Sequence, residues 1–292
     1  GGPGGQGGQL DENCYLASIG QDENHSICIY NYKTGIMVAN AKGDKNKVFA
    51  LEFAENKVNK NLTLVQCGIN HVRIWTMNGR NLASKKVPFH KNIGIDTCLS
   101  LTNANDYMLI GGAKGKVYCL ELSKKQKAVV QCVSFEEKVS SQADKENVSH
   151  GPINSIYAFS DGGEIFVATG CVKGIIRMSK FVTESQASPQ LETDAIINGV
   201  QWKKWEKEDN KWNVMKTVYK TSTKKKGKNK MSKVTIDVDV ANPQIRSVCL
   251  AKHENGFKVL VGTRGSEIVE FKLKKQHESS KDRDDVVDVG II

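Results

Sequence analysis

The chain has 292 residues, 39% hydrophobic and 25% charged, with a formal net charge of +10. That length can bury a large core as one β-domain, and the balance of apolar and charged residues excludes a chain disordered over most of its length. No run approaches the roughly 20 apolar residues of a membrane span and no basic-then-apolar leader opens the chain, so the expectation is a cytoplasmic protein with no membrane partner.

Gly1 to Gln9 is rich in Gly and Gln and reads as a flexible N-terminus, followed by one β-domain over residues 10–292. In that domain one phrase repeats. An apolar run reaches a Gly, turns a polar corner and returns as an alternating run, the pattern of a strand, a tight turn and an antiparallel partner. The outward runs are Leu16-Ala-Ser-Ile-Gly20, Leu64-Val-Gln-Cys-Gly68, Met108-Leu-Ile-Gly-Gly112, Phe166-Val-Ala-Thr-Gly170 and Val259-Leu-Val-Gly262. Their returns open at Ser26, His71, Lys116, Gly174 and Glu267. The first three returns start about 45 residues apart, the period of a four-stranded propeller blade. The expected fold is therefore all-β, a WD-repeat β-propeller with about five recognisable blades.

Between these pairs the remaining strands fall in order. Lys47-Val-Phe-Ala-Leu-Glu-Phe53 alternates strictly and opens blade two, while Asp96-Thr-Cys-Leu-Ser-Leu101 leads into blade three. Gly111-Gly-Ala-Lys-Gly-Lys116 resembles a phosphate loop only briefly. The residue after Lys116 is Val117 rather than Ser or Thr, and a strand follows instead of a helix, so a glycine turn between strands accounts for it. Ser134 to Ser149 is polar and reads as a solvated loop. After Gly174 the next matching return waits two blade periods, and we read the interval as an insertion at about 183–242 rather than a degenerate blade. Within it, Val200-Gln-Trp-Lys-Lys-Trp-Glu206 and Trp212-Asn-Val-Met-Lys-Thr-Val-Tyr219 read as a hairpin. A Lys/Gly-rich tip follows, then Lys233-Val-Thr-Ile-Asp-Val-Asp-Val240 as a further strand.

The charge is concentrated in this insertion. Between Lys203 and Lys233, 12 lysines stand against Glu206, Glu208 and Asp209, which is +9 of the chain's +10. Lys224, Lys225, Lys226, Lys228 and Lys230 form the densest cluster, and Trp202 and Trp205 stand about 20 residues before it in the same insertion. This set is the candidate partner-binding site, by salt-sensitive attraction to an acidic surface. Lysines interleaved with Trp202, Trp205 and Trp212 also suit nucleic acid, through phosphate contacts and base stacking, and a solvated loop with no partner is the third reading. The tryptophans separate these readings, since rings packed inside a hairpin are not free to stack on bases.

No G-x-S-x-G elbow, no H-E-x-x-H and no His/Cys cluster at zinc spacing is present, so neither catalytic nor metal residues are assigned and no cofactor is expected. His25 and His71 sit at strand corners, where a hydrogen-bonded turn role is expected. The eight cysteines contain no C-x-x-C pair and mostly fall in predicted strands, which points to reduced, buried thiols.

Four phrases in order carry a family resemblance: Ile19-Gly-Gln-Asp-Glu-Asn-His-Ser-Ile-Cys-Ile-Tyr-Asn-Tyr-Lys-Thr-Gly35, Lys45-Asn-Lys-Val-Phe-Ala-Leu-Glu-Phe53, Cys67-Gly-Ile-Asn-His-Val-Arg-Ile-Trp75, and Ile245-Arg-Ser-Val-Cys249 followed by Val259-Leu-Val-Gly-Thr-Arg-Gly-Ser-Glu-Ile268. Together they resemble the EML family, the echinoderm microtubule-associated protein-like proteins. The likeness covers most of residues 14–182 and 243–273 and leaves the lysine-rich segment outside it. It implies a tandem atypical propeller with a cytoskeletal role, cytoplasmic or ciliary, that binds microtubules or soluble tubulin without enzymatic activity. A general protein–protein scaffold with a passive lysine loop, or a nucleic-acid-associated propeller, remain the alternatives. All five return strands lack a Trp-Asp ending, and only Trp75 keeps the Trp.

Overall fold

The computed structural model describes residues 14–54, 62–124, 127–134, 151–183, 189–202, 213–221, 231–239, 242, 244–253, 256–274 and 289–291. Gly1 to Gln9 and most of the polar stretch from Ser134 to Ser149 fall outside them. The described residues form five antiparallel sheets whose strands follow one another in chain order.

The first sheet holds β1 (Tyr15–Ile19), β2 (Ile27–Asn31) and β3 (Met37–Ala41). The second holds β4 (Val48–Ala54), β5 (Thr63–Gly68), β6 (His71–Asn78) and β7 (Asn81–Lys86), and the third β8 (Cys98–Ala104), β9 (Tyr107–Gly112), β10 (Lys116–Glu121) and β11 (Val129–Ser134). Six strands make the fourth: β12 (Ile153–Asp161), β13 (Glu164–Cys171), β14 (Ile175–Val182), β15 (Gln190–Trp202), β16 (Asn213–Thr221) and β17 (Met231–Asp239). The fifth holds β18 (Ile245–His253), β19 (Gly256–Thr263), β20 (Ile268–Lys274) and β21 (Val289–Ile291). The five expected strand pairs are β1/β2, β5/β6, β9/β10, β13/β14 and β19/β20. Two strands escaped the sequence reading: β11, and the first ten residues of β15, whose mixed Leu191-Glu-Thr-Asp-Ala195 has no clean alternation.

Successive side chains of a strand point to opposite faces, and inner strands such as β5 bury both because consecutive sheets stack on one another. Four core clusters result, each shared by consecutive sheets. Ile27, Ile29, Leu64 and Trp75 join the first to the second. Val65, Cys67, Met108, Ile110 and Leu120 join the second to the third, and Leu109, Val117, Ile153 and Val167 the third to the fourth. Phe166, Ile176, Val248, Val259 and Phe271 join the fourth to the fifth. Hydroxyls tie the innermost strands together. Ser100 Oγ donates to the Ile153 carbonyl, Thr102 Oγ1 accepts from the Ala158 amide, and Ser155 Oγ accepts from the Val248 amide.

The glycine that ends each outward run marks a close approach. A Cβ on Gly68 would sit on the Lys47 carbonyl oxygen, and one on Gly170 would overlap Ile245 of the next sheet. No helix among the described residues is long and apolar enough to cross a membrane.

Candidate functional site

In blade two a buried polar chain holds the corner between β5 and β6. His71 Nδ1 lies 3.0 Å from the Ile69 carbonyl, which can only accept, so the imidazole proton is on Nδ1. Nε2 then accepts from the Gln66 amide nitrogen at 3.1 Å, and Gln66 Oε1 accepts from the Trp75 indole N–H at 2.7 Å. Gln66 and His71 are both fully buried. Burial lowers the His71 pKa below its usual 6.5, which keeps the ring neutral as this bonding requires. Burial alone would raise Asp44, but hydrogen bonds from the Asn46 amide and the Arg73 guanidinium, at 2.6 Å, outweigh it and hold its carboxyl below the ordinary range. Blade three repeats the device with other residues: Asp96 accepts from Tyr118 Oη at 2.8 Å and from the Thr97 amide.

Every such corner contains one left-handed residue, at His25, Asn70, Gly115, Gly174 and Ser266. The pairs Val48↔Gly68, Cys98↔Gly112, Ile153↔Cys171 and Ile245↔Thr263 set the start of each innermost strand beside the corner of its own blade. Contacts between blades align these ends. His25 Nδ1 donates to the Asp44 carbonyl, and Asn154 Nδ2 donates to the Ile245 carbonyl. The corners of all five blades therefore open on one face of the molecule.

That face is basic. Lys42, Lys45, Lys47, Lys114, Lys173 and Arg264 are all exposed on its loops, against exposed Asp22 and Glu23. Among the described residues none of the six cations forms an ion pair; Lys47 instead lies over the Phe49 ring and Arg264 donates to Gln244. Asp44 and Asp96 are buried and committed to the corners, so they offer no counter-charge at the surface. Exposed Ile69, Ile95 and Ile268 add apolar area between the cations. Sequence reasoning passed over these residues because the 42–47 group, Lys114, Lys173 and Arg264 stand far apart along the chain. A signal existed: Lys114-Gly115 and Lys173-Gly174 place a lysine directly before the left-handed glycine in two successive blades.

The structure does not bring the lysine-rich candidates together. Lys224, Lys225, Lys226, Lys228, Lys230 and Trp205 fall outside the described residues, and Trp202 ends β15. The strands around them are paired, with Trp202 opposite Val214 at one end of β16 and Thr221 opposite Met231 at the other. At about 3.3 Å per residue, the seven steps from Val214 to Thr221 hold those two positions about 23 Å apart. The flanks of the tryptophan segment and of the lysine run are thus at opposite ends of β16.

Nothing in the described residues is arranged for nucleophilic or metal chemistry. No group of three His, Cys, Asp or Glu among them could hold a metal ion. All eight cysteines are thiols, and burial pushes Cys98 up to about 12 and Cys67 well above its ordinary value, so these two are not nucleophiles. The glycine turn at 111–116 runs strand to strand, from β9 into β10.

No family model matches the chain. Over 83 residues, 28% of its length, it is 28% identical to Echinoderm microtubule-associated protein-like 4 of Xenopus laevis and 26% identical to the Mus musculus protein of that name. The matched region spans only 9% and 8% of those relatives. Similar solved structures include Saccharomyces cerevisiae Sqt1 (TM-score 0.49, 14% identity, 89% of this chain and 69% of that one). Another is the Myceliophteria thermophila Cps50 (Swd1) β-propeller domain (TM-score 0.47, 12% identity, 86% and 76%). Dihydro-heme d1 dehydrogenase NirN in complex with DHE also matches (TM-score 0.48, 10% identity, 92% and 57%). The blade topology of the described residues is that of a β-propeller.

Proposed function

We propose that this propeller docks on microtubules or on soluble tubulin as a non-enzymatic cytoskeletal module, with its corner face as the main contact. The observation that carries the reading is the set of six exposed cations on that face without ion-pair partners among the described residues. Tubulin's surface and tails are acidic, and clustered unpaired cations steer and hold such a partner. The local likeness to microtubule-associated relatives supports the same partner. Lys224 to Lys230 add a second, accessory attraction. Because β16 separates the lysine and tryptophan flanks, we favour an acidic protein surface over nucleic acid, whose capture would draw on both together.

Co-sedimentation with polymerised microtubules across a salt series tests this with three forms: the intact chain, a face variant with Lys45, Lys47, Lys114 and Lys173 changed to Ser, and a loop variant with Lys224, Lys225, Lys226, Lys228 and Lys230 changed to Ser. At about 0.2–1 kcal/mol per exposed charge contact, the face variant should bind on the order of ten-fold more weakly at low salt. The loop variant should lose less. A face variant that pellets like the intact chain moves the contact off this face. No pelleting of the intact chain, with no binding of soluble tubulin, ends the proposal.

A further inference from the structure

Strand β17 is the outer edge of the fourth sheet: among the described residues it pairs only with β16. The other outer strands are blunted. β3 and β11 carry register shifts against their neighbours, β7 ends in Ser84-Lys85-Lys86, and β21 has three residues. β17 instead runs nine residues, Met231-Ser-Lys-Val-Thr-Ile-Asp-Val-Asp239, with no Pro, no Gly and no register shift across its whole ladder with β16. A long, regular, β-branched edge of this kind is a template for one more strand.

Its charges name the strand that fits. Within its own sheet Lys233 stands opposite Tyr219 and Asp237 opposite Met215, and the diagonal neighbours Asn213, Thr217 and Thr221 are uncharged. Neither charge therefore has a residue of opposite charge at an opposite or diagonal register position on β16. Laid antiparallel on a second copy of itself about Thr235, β17 sets Lys233 of each chain opposite Asp237 of the other, twice by symmetry. Val234 then faces Ile236, and all nine residues overlap. Side chains opposite each other in an antiparallel ladder share a face, so the apolar positions of the two sheets run on across the junction. A slip of one residue sets Lys233 opposite Val238 and loses both charge pairs. Recentring on Ile236 faces Lys233 with Asp239 but overlaps only seven residues.

We propose that the chain forms a two-fold symmetric dimer through antiparallel β17–β17 pairing centred on Thr235, joining two six-stranded sheets edge to edge. This surface is separate from the corner face and its test involves no tubulin.

Sedimentation velocity of the full 292-residue chain across a concentration series reads it out. The intact chain should dimerise. Lys233→Asp puts Asp opposite Asp twice and Asp237→Lys puts Lys opposite Lys twice, so each single variant should dimerise ten-fold or more weakly. Mixing the two single variants restores both opposite-charge pairs, and a heterodimer should form; the double variant Lys233→Asp/Asp237→Lys should again self-associate. Restoration in either case excludes simple misfolding as the cause of the loss. The Asp237→Lys variant fixes the register, because centring on Ile236 would set that lysine opposite Thr235 without harm. A monomeric intact chain, single variants that dimerise as well as the intact chain, or a loss that neither the mixture nor the double variant restores would each overturn the proposal.

Discussion

Replacing Gln66 by Leu removes the middle of the buried chain that runs from His71 to Trp75. Leu fills nearly the same volume, so the cavity is small and the cost is polar. The Trp75 N–H loses its acceptor and His71 Nε2 its donor, in a site from which water is excluded. At about 1–2 kcal/mol for each stranded group the variant should be about 2–4 kcal/mol less stable. Trp75→Phe strands the other end, leaving Gln66 Oε1 unpaired and the smaller ring less well packed, for about 2–3 kcal/mol. In the double variant the acceptor and its N–H leave together, so the sum of the single effects should exceed the double by about 1–2 kcal/mol. Urea unfolding followed by far-UV circular dichroism measures all four corners of this cycle. Single effects that add to within about 0.5 kcal/mol would show that the Gln66–Trp75 bond does not couple the two strands, and the account of the corner would fail.

Two further outcomes follow from the corners. Ser266 is an exposed non-glycine residue held at φ 65. Ser266→Gly should therefore raise stability by roughly 0.5–1 kcal/mol in the same urea assay, since relief of left-handed strain outweighs the added freedom of the unfolded chain. His71 titrates lower in the fold than its usual 6.5. Between the two values the unfolded chain binds more protons, so stability is fully present above about pH 6.5 and is lost as pH falls toward the depressed folded value. Urea midpoints between pH 7.5 and 5 should show this slope, and His71→Asn should flatten it; an unchanged slope in that variant would assign the pH dependence to other groups.

The strand pairs were legible because each is local: a Gly-ended apolar run and its return carry their own turn chemistry, as Cys67-Gly-Ile-Asn-His71 does. β11 and the early part of β15 were not, since Val129-Val-Gln-Cys-Val-Ser134 and Leu191-Glu-Thr-Asp-Ala195 have no adjoining turn signal and are held as strands by the sheet edges they join. Of the candidate site, the lysine run stood out because its charges are consecutive. The corner-face cations did not, because the 42–47 group, Lys114, Lys173 and Arg264 are remote from one another in sequence and meet only when the blades align their ends.

By itself, then, the sequence determined the period, the all-β class, the five blades and the sign of the net charge, all properties of neighbouring residues and their alternation. Only the tertiary structure decided which charges share a surface, and that burial spends Asp44 and Asp96 on the corners while Lys45, Lys47, Lys114 and Lys173 stay unpaired among the described residues. It also decided that β17 ends a sheet rather than lying inside one. Charge is additive along a chain, whereas a surface depends on which side chains the packing of the sheets leaves outside.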